Sequence, residues 1–442
     1  MLMEKLKAHS NSRMTGTVWM MIAFLFVLTV ISNTDKAVIG FASVKIMDEL
    51  GLNATQWGLV GSVFFWLYAV SAVLMGIFSD KMGTKLAITI MALVWAAVQF
   101  STLFVHSFAF LLITRLILGA GEGPSYSLAM TTAAKWLPRG KLGFGLTLVS
   151  IGGPLGVAMS APPLIQLISS HGWRSAFLAT GIIGVVWVVL WLLFAKDRPA
   201  SPDNLSSAAV EARHPAEDSK FLKIVFSRSF LLVALCGFAT YWSYTVGLVW
   251  LPNYFAKVRH LSAAELKVAV TLPWIMITIS QLLFSTISDW LYRRTKSMFR
   301  SRVSILSPVL IGAGISYALG TIVNSNPLTV ALLSLGLTFG CITLVIGPAI
   351  LVELVPPKHQ GKAQGIFMAA SSLGGIVAPY VTGKLVQGSA DQAAGFNGAF
   401  QLIAVILCVV GALAWLLVRS PRIAKPSTEA REPEGKLETG VS

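Results

Sequence analysis

GIFSDKMGTK, residues 76–85, closes one apolar block, and STISDWLYRRTK, residues 285–296, closes another. Each copy has a small residue (Gly76, Ser285), then three residues, an aspartate (Asp80, Asp289) and a run of basic residues. Lys81 and Lys85 follow in the first, with Gly83 between them, and Arg293 and Arg294 in the second. The small residue allows close helix approach. The aspartate can pair with a basic residue or a helix end on a neighbouring bundle. One copy alone reads as an ordinary charged turn, but two at matching places in the two halves are the internal symmetry of duplicated transporter folds.

Outward from these loops the chain is a series of long apolar blocks. Of 442 residues, 55% are hydrophobic and 12% charged, against roughly 25% charged in an ordinary soluble protein. A largely soluble chain is thereby excluded. A helix needs about 20 apolar residues to cross a bilayer core. Blocks bounded by charge or by Gly, Pro and Asn place twelve spans at 18–41, 57–78, 86–105, 108–132, 143–168, 175–195, 230–251, 268–288, 303–323, 328–354, 363–385 and 396–418. Lys5, Lys7 and Arg13 precede a run too long for a signal-peptide core, so the first span is expected to be retained. The expected fold class is an all-α membrane protein of twelve transmembrane helices in two pseudo-symmetric six-helix bundles, 18–195 and 230–418. A polar linker at 196–229 joins them, and polar tails at 1–17 and 419–442 flank them.

The net charge of +15 would suit a nucleic-acid partner if it formed a patch. Instead the basic residues fall in the loops between spans, which excludes that partner. Twenty-six of the 34 lie on the side of the termini, six on the other, and Lys36 and Arg115 lie inside spans. Basic loops stay in the cytoplasm, so both termini are expected there. Cys236, Cys341 and Cys408 sit inside apolar blocks at no metal-ligand or redox spacing, and neither a metal nor a cofactor is expected.

GIFSDKMGTK resembles the signature loop of the major facilitator superfamily, and the resemblance covers the chain apart from its tails. TDKA at 34–37, TRLILGAGEGPSYSLA at 114–129, KWLP at 135–138 and VWLPNYF at 249–255 are similar to the anion:cation symporter family. That family includes proton-coupled galactonate, glucarate and hexuronate permeases. The resemblance implies uptake of a small organic anion with protons, sodium being the alternative coupling ion, by a monomer among the lipids of a bacterial inner membrane.

A charge deep in a span costs at least about 2.5–3.5 kcal/mol on insertion scales and therefore points to a cavity and a function. Four qualify: Asp35, Lys36, Arg115 and Glu122. At about 1.5 Å rise per residue, Asp35 and Arg115 lie at about the same depth, roughly 15 Å from their helix ends. Arg115 and Glu122, two turns apart, share a face. By the resemblance, Asp35 and Glu122 carry protons and Lys36 holds the substrate's acid group, with Arg115 controlling Glu122 or touching substrate. The structural alternatives are Lys36 snorkelling to the interface, a static Asp35–Arg115 pair and a Glu122 satisfied by hydroxyls between packing glycines.

Polar and aromatic residues elsewhere suit the uncharged body of a ligand: Tyr68 in span two, Tyr241, Trp242 and Tyr244 in span seven, Gln281 in span eight, Ser371 and Ser372 in span eleven. Two departures from the family pattern bear on substrate. Lys36 replaces the usual arginine and loses its two-pronged fork. Gly153 and Met368 stand where sugar-acid members carry a glutamine and an asparagine. Both changes favour a smaller or more apolar acid, such as an aromatic carboxylate or short sulfonate. GGPLG at 152–156 is a partial match to an antiporter motif and keeps an exporter as a rival. A membrane-embedded enzyme finds no room for its chemistry outside 196–229.

Overall fold

The structure, a computed structural model, describes residues 14–138, 141–197, 221–356 and 359–418. The side chains of Val73 and of residues 76–81, and with them the expected roles of Gly76, Asp80 and Lys81, lie outside the described residues. So do most of the expected linker and both tails.

The helices are α1 Gly16–Phe41, α2 Ser43–Leu50, α3 Ala54–Met82, α4 Thr84–Ser101, α5 Phe108–Glu122, α6 Ser125–Trp136, α7 Leu142–His171 and α8 Trp173–Phe194 in the first half. The second half has α9 Arg228–Val249, α10 Leu251–Lys257, α11 Ala263–Thr295, α12 Ser304–Ile322, α13 Asn326–Gly340, α14 Thr343–Leu354, α15 Gln360–Gly388 and α16 Gln392–Leu417. Small polar residues open many of them. Thr15, Ser107, Ser227 and Asp391 accept a backbone N–H at the starts of α1, α5, α9 and α16, and Ser262 with Glu265 closes a capping box on α11. Such caps satisfy donors that the helix itself leaves orphaned.

Ten segments among the described residues are long and apolar enough to cross a membrane. α3, and α5 continued by α6, occupy the places of the other two expected spans. The break between α5 and α6 falls at Gly123-Pro124, because proline lacks an N–H and its ring clashes with the carbonyl four residues back. The tenth span likewise divides, into α13 and α14. Several helices outrun the expected spans, α11 most of all, because a helix continues past the last apolar residue into the polar interface.

Close helix approach is set by glycines. A Cβ on Gly119 of α5, or on Gly123 just after it, would strike the backbone carbonyl of Phe64 or Tyr68 on α3. On α7, Gly152 lies against Thr29 and Gly156 against Val30 of α1, so the glycines of GGPLG form a packing seam for the first helix.

The halves meet through α3 with α15, α7 with α11, and α1 with α9. Gly58 and Gly61 of α3 lie against Pro379, and Gly383 of α15 against Ala54. The Ala54 and Tyr380 N–H groups donate to Gln387 Oε1 and Ser62 Oγ, each at 3.1 Å. Lys257 pairs with Asp48 at 2.8 Å, and Lys267 Nζ donates to Gln166 Oε1 at 2.5 Å. All these contacts lie toward the end opposite the termini. At the terminal end the described bonds of the repeated loops stay within one half. Gly83, at φ +85° in the left-handed region, abuts the Asp197 carboxylate, which accepts from the Lys85 N–H at 3.1 Å. Asp289 pairs with Arg302 at 2.7 Å, Arg294 lies over the Trp290 ring, and Arg293 is exposed.

Gly119→Ala is expected to lower the unfolding temperature of the purified protein through overpacking of about 1–3 kcal/mol. Gly365→Ala, whose added methyl meets nothing within 4 Å, should leave it unchanged or raised. Equal behaviour of the two variants would refute the contact.

Candidate functional site

Charge enters the membrane-spanning region of the first half through α1 and α5. Thr29, Ser32, Asn33 and Lys36 recur at spacings of three and four along α1, a polar stripe on one helix face. Lys36 Nζ lies 3.0 Å from Glu122 Oε2 and donates to Ser32 Oγ at 3.0 Å. Ser32 also lies 3.3 Å from both Glu122 Oε2 and Ser125 Oγ. Glu122 is the last residue of α5, immediately before the Gly123-Pro124 break, so the interruption in the fourth span sits at the pair. Lys36 is 6% exposed and Glu122 0%, which answers the snorkelling alternative: the ammonium is enclosed. Glu122 does accept from a hydroxyl, as one alternative expected, but its counter-ion is Lys36.

Arg115 is 3% exposed, with its guanidinium 4.9 Å from the centre of the Phe64 ring. Its Nε and Nη1 have no hydrogen-bond partner among the described residues. No ion pair joins Arg115 to Asp35 or Glu122 among those residues, so the static Asp35–Arg115 pair is not formed. Asp35, 1% exposed, has no hydrogen-bond partner for its Oδ1 among the described residues, and Gln99 of α4 and Thr180 of α8 are buried polar residues of the same half. Among the described residues of this half the buried charged side chains are these two acids and two bases, which balance in formal charge.

Against this charged group stands a wall of rings from both halves. Lys36 Nζ lies 5.5 Å from the centre of the Tyr68 ring, which packs against Phe64 and Phe65. Phe65 meets Tyr241 edge-on, and Tyr241 packs against Tyr244. The Tyr244 hydroxyl donates to Asn33 Oδ1 at 3.3 Å, a hydrogen bond across the two halves. The other candidates of the second half are placed differently. Trp242 packs against Phe238, while Ser371 and Ser372 return their hydroxyls to carbonyls of their own helix. Gln281 is half-buried on α11 with no hydrogen bond to another described residue.

Ser32, Asn33, Gln99 and Thr180 escaped the sequence reading. The first two had a signal, the polar stripe ending at Lys36. Gln99 had none, being one amide in an apolar block. Asn33 also bears on Gly153, since a Cβ at Gly153 would lie 3.2 Å from Asn33 Nδ2.

Helices that cross a membrane in two related halves, with a charge-neutral cluster buried beside the seam between them, define a membrane transporter. The Major Facilitator Superfamily model matches residues 25–344 and 297–440. A hexuronate transporter of Bacillus subtilis is 30% identical over 93% of this chain and 97% of its own. A probable sulfoacetate transporter of Cupriavidus necator is 28% identical over 94% and 96%. Among solved structures, a D-xylose–proton symporter superposes with a TM-score of 0.74 at 17% identity, over 92% of this chain and 99% of that one. The chain belongs to the major facilitator superfamily, in the anion:cation symporter branch that its motifs resemble.

Breaking the buried pair should cost far more than removing it. Lys36→Met leaves Glu122 without its counter-ion and is expected to destabilise the protein by about 3–5 kcal/mol. Lys36→Met combined with Glu122→Gln should recover most of that loss in thermal unfolding. A double variant as unstable as the single one would refute the pairing.

Proposed function

We propose that the protein is a proton-coupled symporter that takes up a small organic anion by alternating access between its halves. One observation carries the reading: Lys36, the ammonium suited to an incoming acid group, already holds Glu122 at 3.0 Å in a buried, charge-neutral cluster. An anion that draws Lys36 away leaves a buried carboxylate without its counter-ion, a loss of several kcal/mol. A proton on Glu122 removes that charge. Anion and proton therefore favour each other's binding, and the coupling is reciprocal. Asp35 is the second proton carrier in this reading, and Arg115, with unused donors, keeps the site positive as the anion arrives.

The 26-to-six distribution of basic residues supports cytoplasmic termini in a bacterial inner membrane. The seam closed at the far end then corresponds to an inward-facing arrangement, from which substrate and proton leave together where proton activity is low. The protein acts as a monomer in this scheme.

For the substrate, a sugar acid of the hexuronate type is supported by the Bacillus subtilis relative and by the hydroxyls of Tyr68, Tyr241 and Tyr244 with the Asn33 amide. A short sulfonate is the second reading. Lysine offers a point charge rather than the planar fork that matches a carboxylate, and the sulfoacetate relative points the same way.

Uptake of labelled D-glucuronate and sulfoacetate into right-side-out vesicles tests both readings. An inward proton gradient should drive accumulation of one of them. Glu122→Gln should abolish that accumulation while leaving exchange of internal for external substrate. Equal loss of both activities would remove Glu122 from proton carriage, and failure of either anion to accumulate would reject the uptake reading for these substrates.

A further inference from the structure

At the end opposite the termini the first span of each half runs on into a short helix, α1 into α2 and α9 into α10. The two extensions meet across the seam. Lys257 Nζ of α10 donates to Asp48 Oδ1 of α2 at 2.8 Å, and Asn253 Nδ2 lies 3.5 Å from Met47 Sδ. Beside them α1 reaches α9 so closely that a Cβ on Gly40 would strike the Leu248 carbonyl.

Each extension is pinned to its own half by an arginine. Asp48 and Glu49 are adjacent, yet they bond to opposite halves. Glu49 accepts from Arg174 Nη1 at 2.7 Å and from Trp173 Nε1 at 2.6 Å. Arg174, near the start of α8, also donates to the Leu103 carbonyl at 3.2 Å and the Val105 carbonyl at 2.6 Å, in the loop between the third and fourth spans. In the second half Arg259, two residues beyond Lys257, donates to Asn326 Oδ1 at 2.8 Å and to the Asn324 carbonyl at 2.7 Å, and Asn326 Nδ2 donates back to the Arg259 carbonyl at 3.2 Å. That loop, between the ninth and tenth spans, is the counterpart of the first. Arg174 opens the sixth span and Arg259 follows the seventh, so they are not copies of one duplicated residue. Two separate positions supply the same connection, which a guanidinium suits because its rigid fork holds several acceptors at once.

We propose that Arg174 and Arg259 are positioning residues for a gate at this end of the molecule. Each fixes its short helix so that Asp48 and Lys257 are presented to one another, and each makes that helix travel with its own half when the halves part. In the first half the tie also joins α2 to the loop that leads into α5, so that α1 and α5, the helices bearing the buried charges, are linked at the gate. An exposed ion pair is weakened by the cost of holding two side chains in one geometry. Fixing the helices beneath them removes part of that cost. The inference rests on alternating access, in which the halves part at this end.

The test uses Val249→Cys as a reporter. Val249, at the end of α9, is 2% exposed and lies against Gly61 of the other half. Reaction of this cysteine with a water-soluble maleimide on purified protein measures how often the seam opens there, and the protein without the reporter gives the background from the native cysteines. No substrate is needed. Lys257→Met should raise the rate about two- to fivefold, the loss of one exposed pair, and exchanging the charges, Asp48→Lys with Lys257→Asp, should restore it. Arg174→Gln and Arg259→Gln should each raise the rate similarly, yet add little in the Lys257→Met background, because they act through that pair. If Arg174→Gln does not fold, Glu49→Gln on the surface breaks the same tie. An arginine effect as large without the pair as with it overturns the positioning role. A reporter that reacts in the parent at a rate Lys257→Met leaves unchanged overturns the gate alone. A reporter that stays unreactive in every variant overturns the gate together with the alternating access beneath it.

Discussion

The contact between Lys36 Nζ and Glu122 Oε2 organises the first half of the molecule. Inside a bilayer neither group can turn to water, so each must be brought to the other, and the helices that carry them must approach closely. α5 lies on α3 because Gly119 and Gly123 offer no side chain to its backbone, and it ends at Glu122 because Pro124 cannot continue it. α1 is gripped in turn by Gly152 and Gly156 of α7, which lie against Thr29 and Val30. Ser32 accepts from Lys36 and donates to Glu122 Oε2, while Glu122 Oε1 has no partner among the described residues. Glycines that look like permissive spacing in the sequence are the condition for a charged pair in an apolar medium.

The same economy shapes the seam between the halves. Its described contacts include small residues against a proline, rings such as Phe65 on Tyr241, a few hydrogen bonds to side chains and one partly exposed ion pair, Lys257–Asp48. An exposed pair of that kind contributes roughly 0–1 kcal/mol. The fully buried ion pair, Lys36–Glu122, stays inside one half, and Asp289–Arg302, with its aspartate exposed, lies within the other. Such a seam can part without separating a buried charge from its partner. Among the described residues, only Tyr244 with Asn33 places a polar cross-half bond beside the charged cluster.

Much of this was legible from the chain. Twelve apolar blocks foretold the helices, because hydrocarbon imposes a length and a composition on whatever crosses it. Asp35, Lys36, Arg115 and Glu122 stood out because charge is rare in such blocks. Less legible were the neutral partners. Ser32 and Asn33 are common residues whose importance lies in standing three and four residues before Lys36, and Gln99 acquires its place only where α4 and α8 enclose it.

What the sequence determined by itself was the class of fold, the duplication and the identity of the buried charges, since each follows from local composition set against the bilayer. Which base met which acid was decided only by tertiary structure. Helical rise put Asp35 and Arg115 at one depth, but depth does not specify azimuth. Asp35 and Lys36 diverge by about 100° around α1, and helix packing turned Lys36 toward Glu122 and left Asp35 without an ion pair among the described residues. The direction in which a side chain leaves its helix, and what another helix places opposite it, is a property of three-dimensional packing that no spacing along one segment contains.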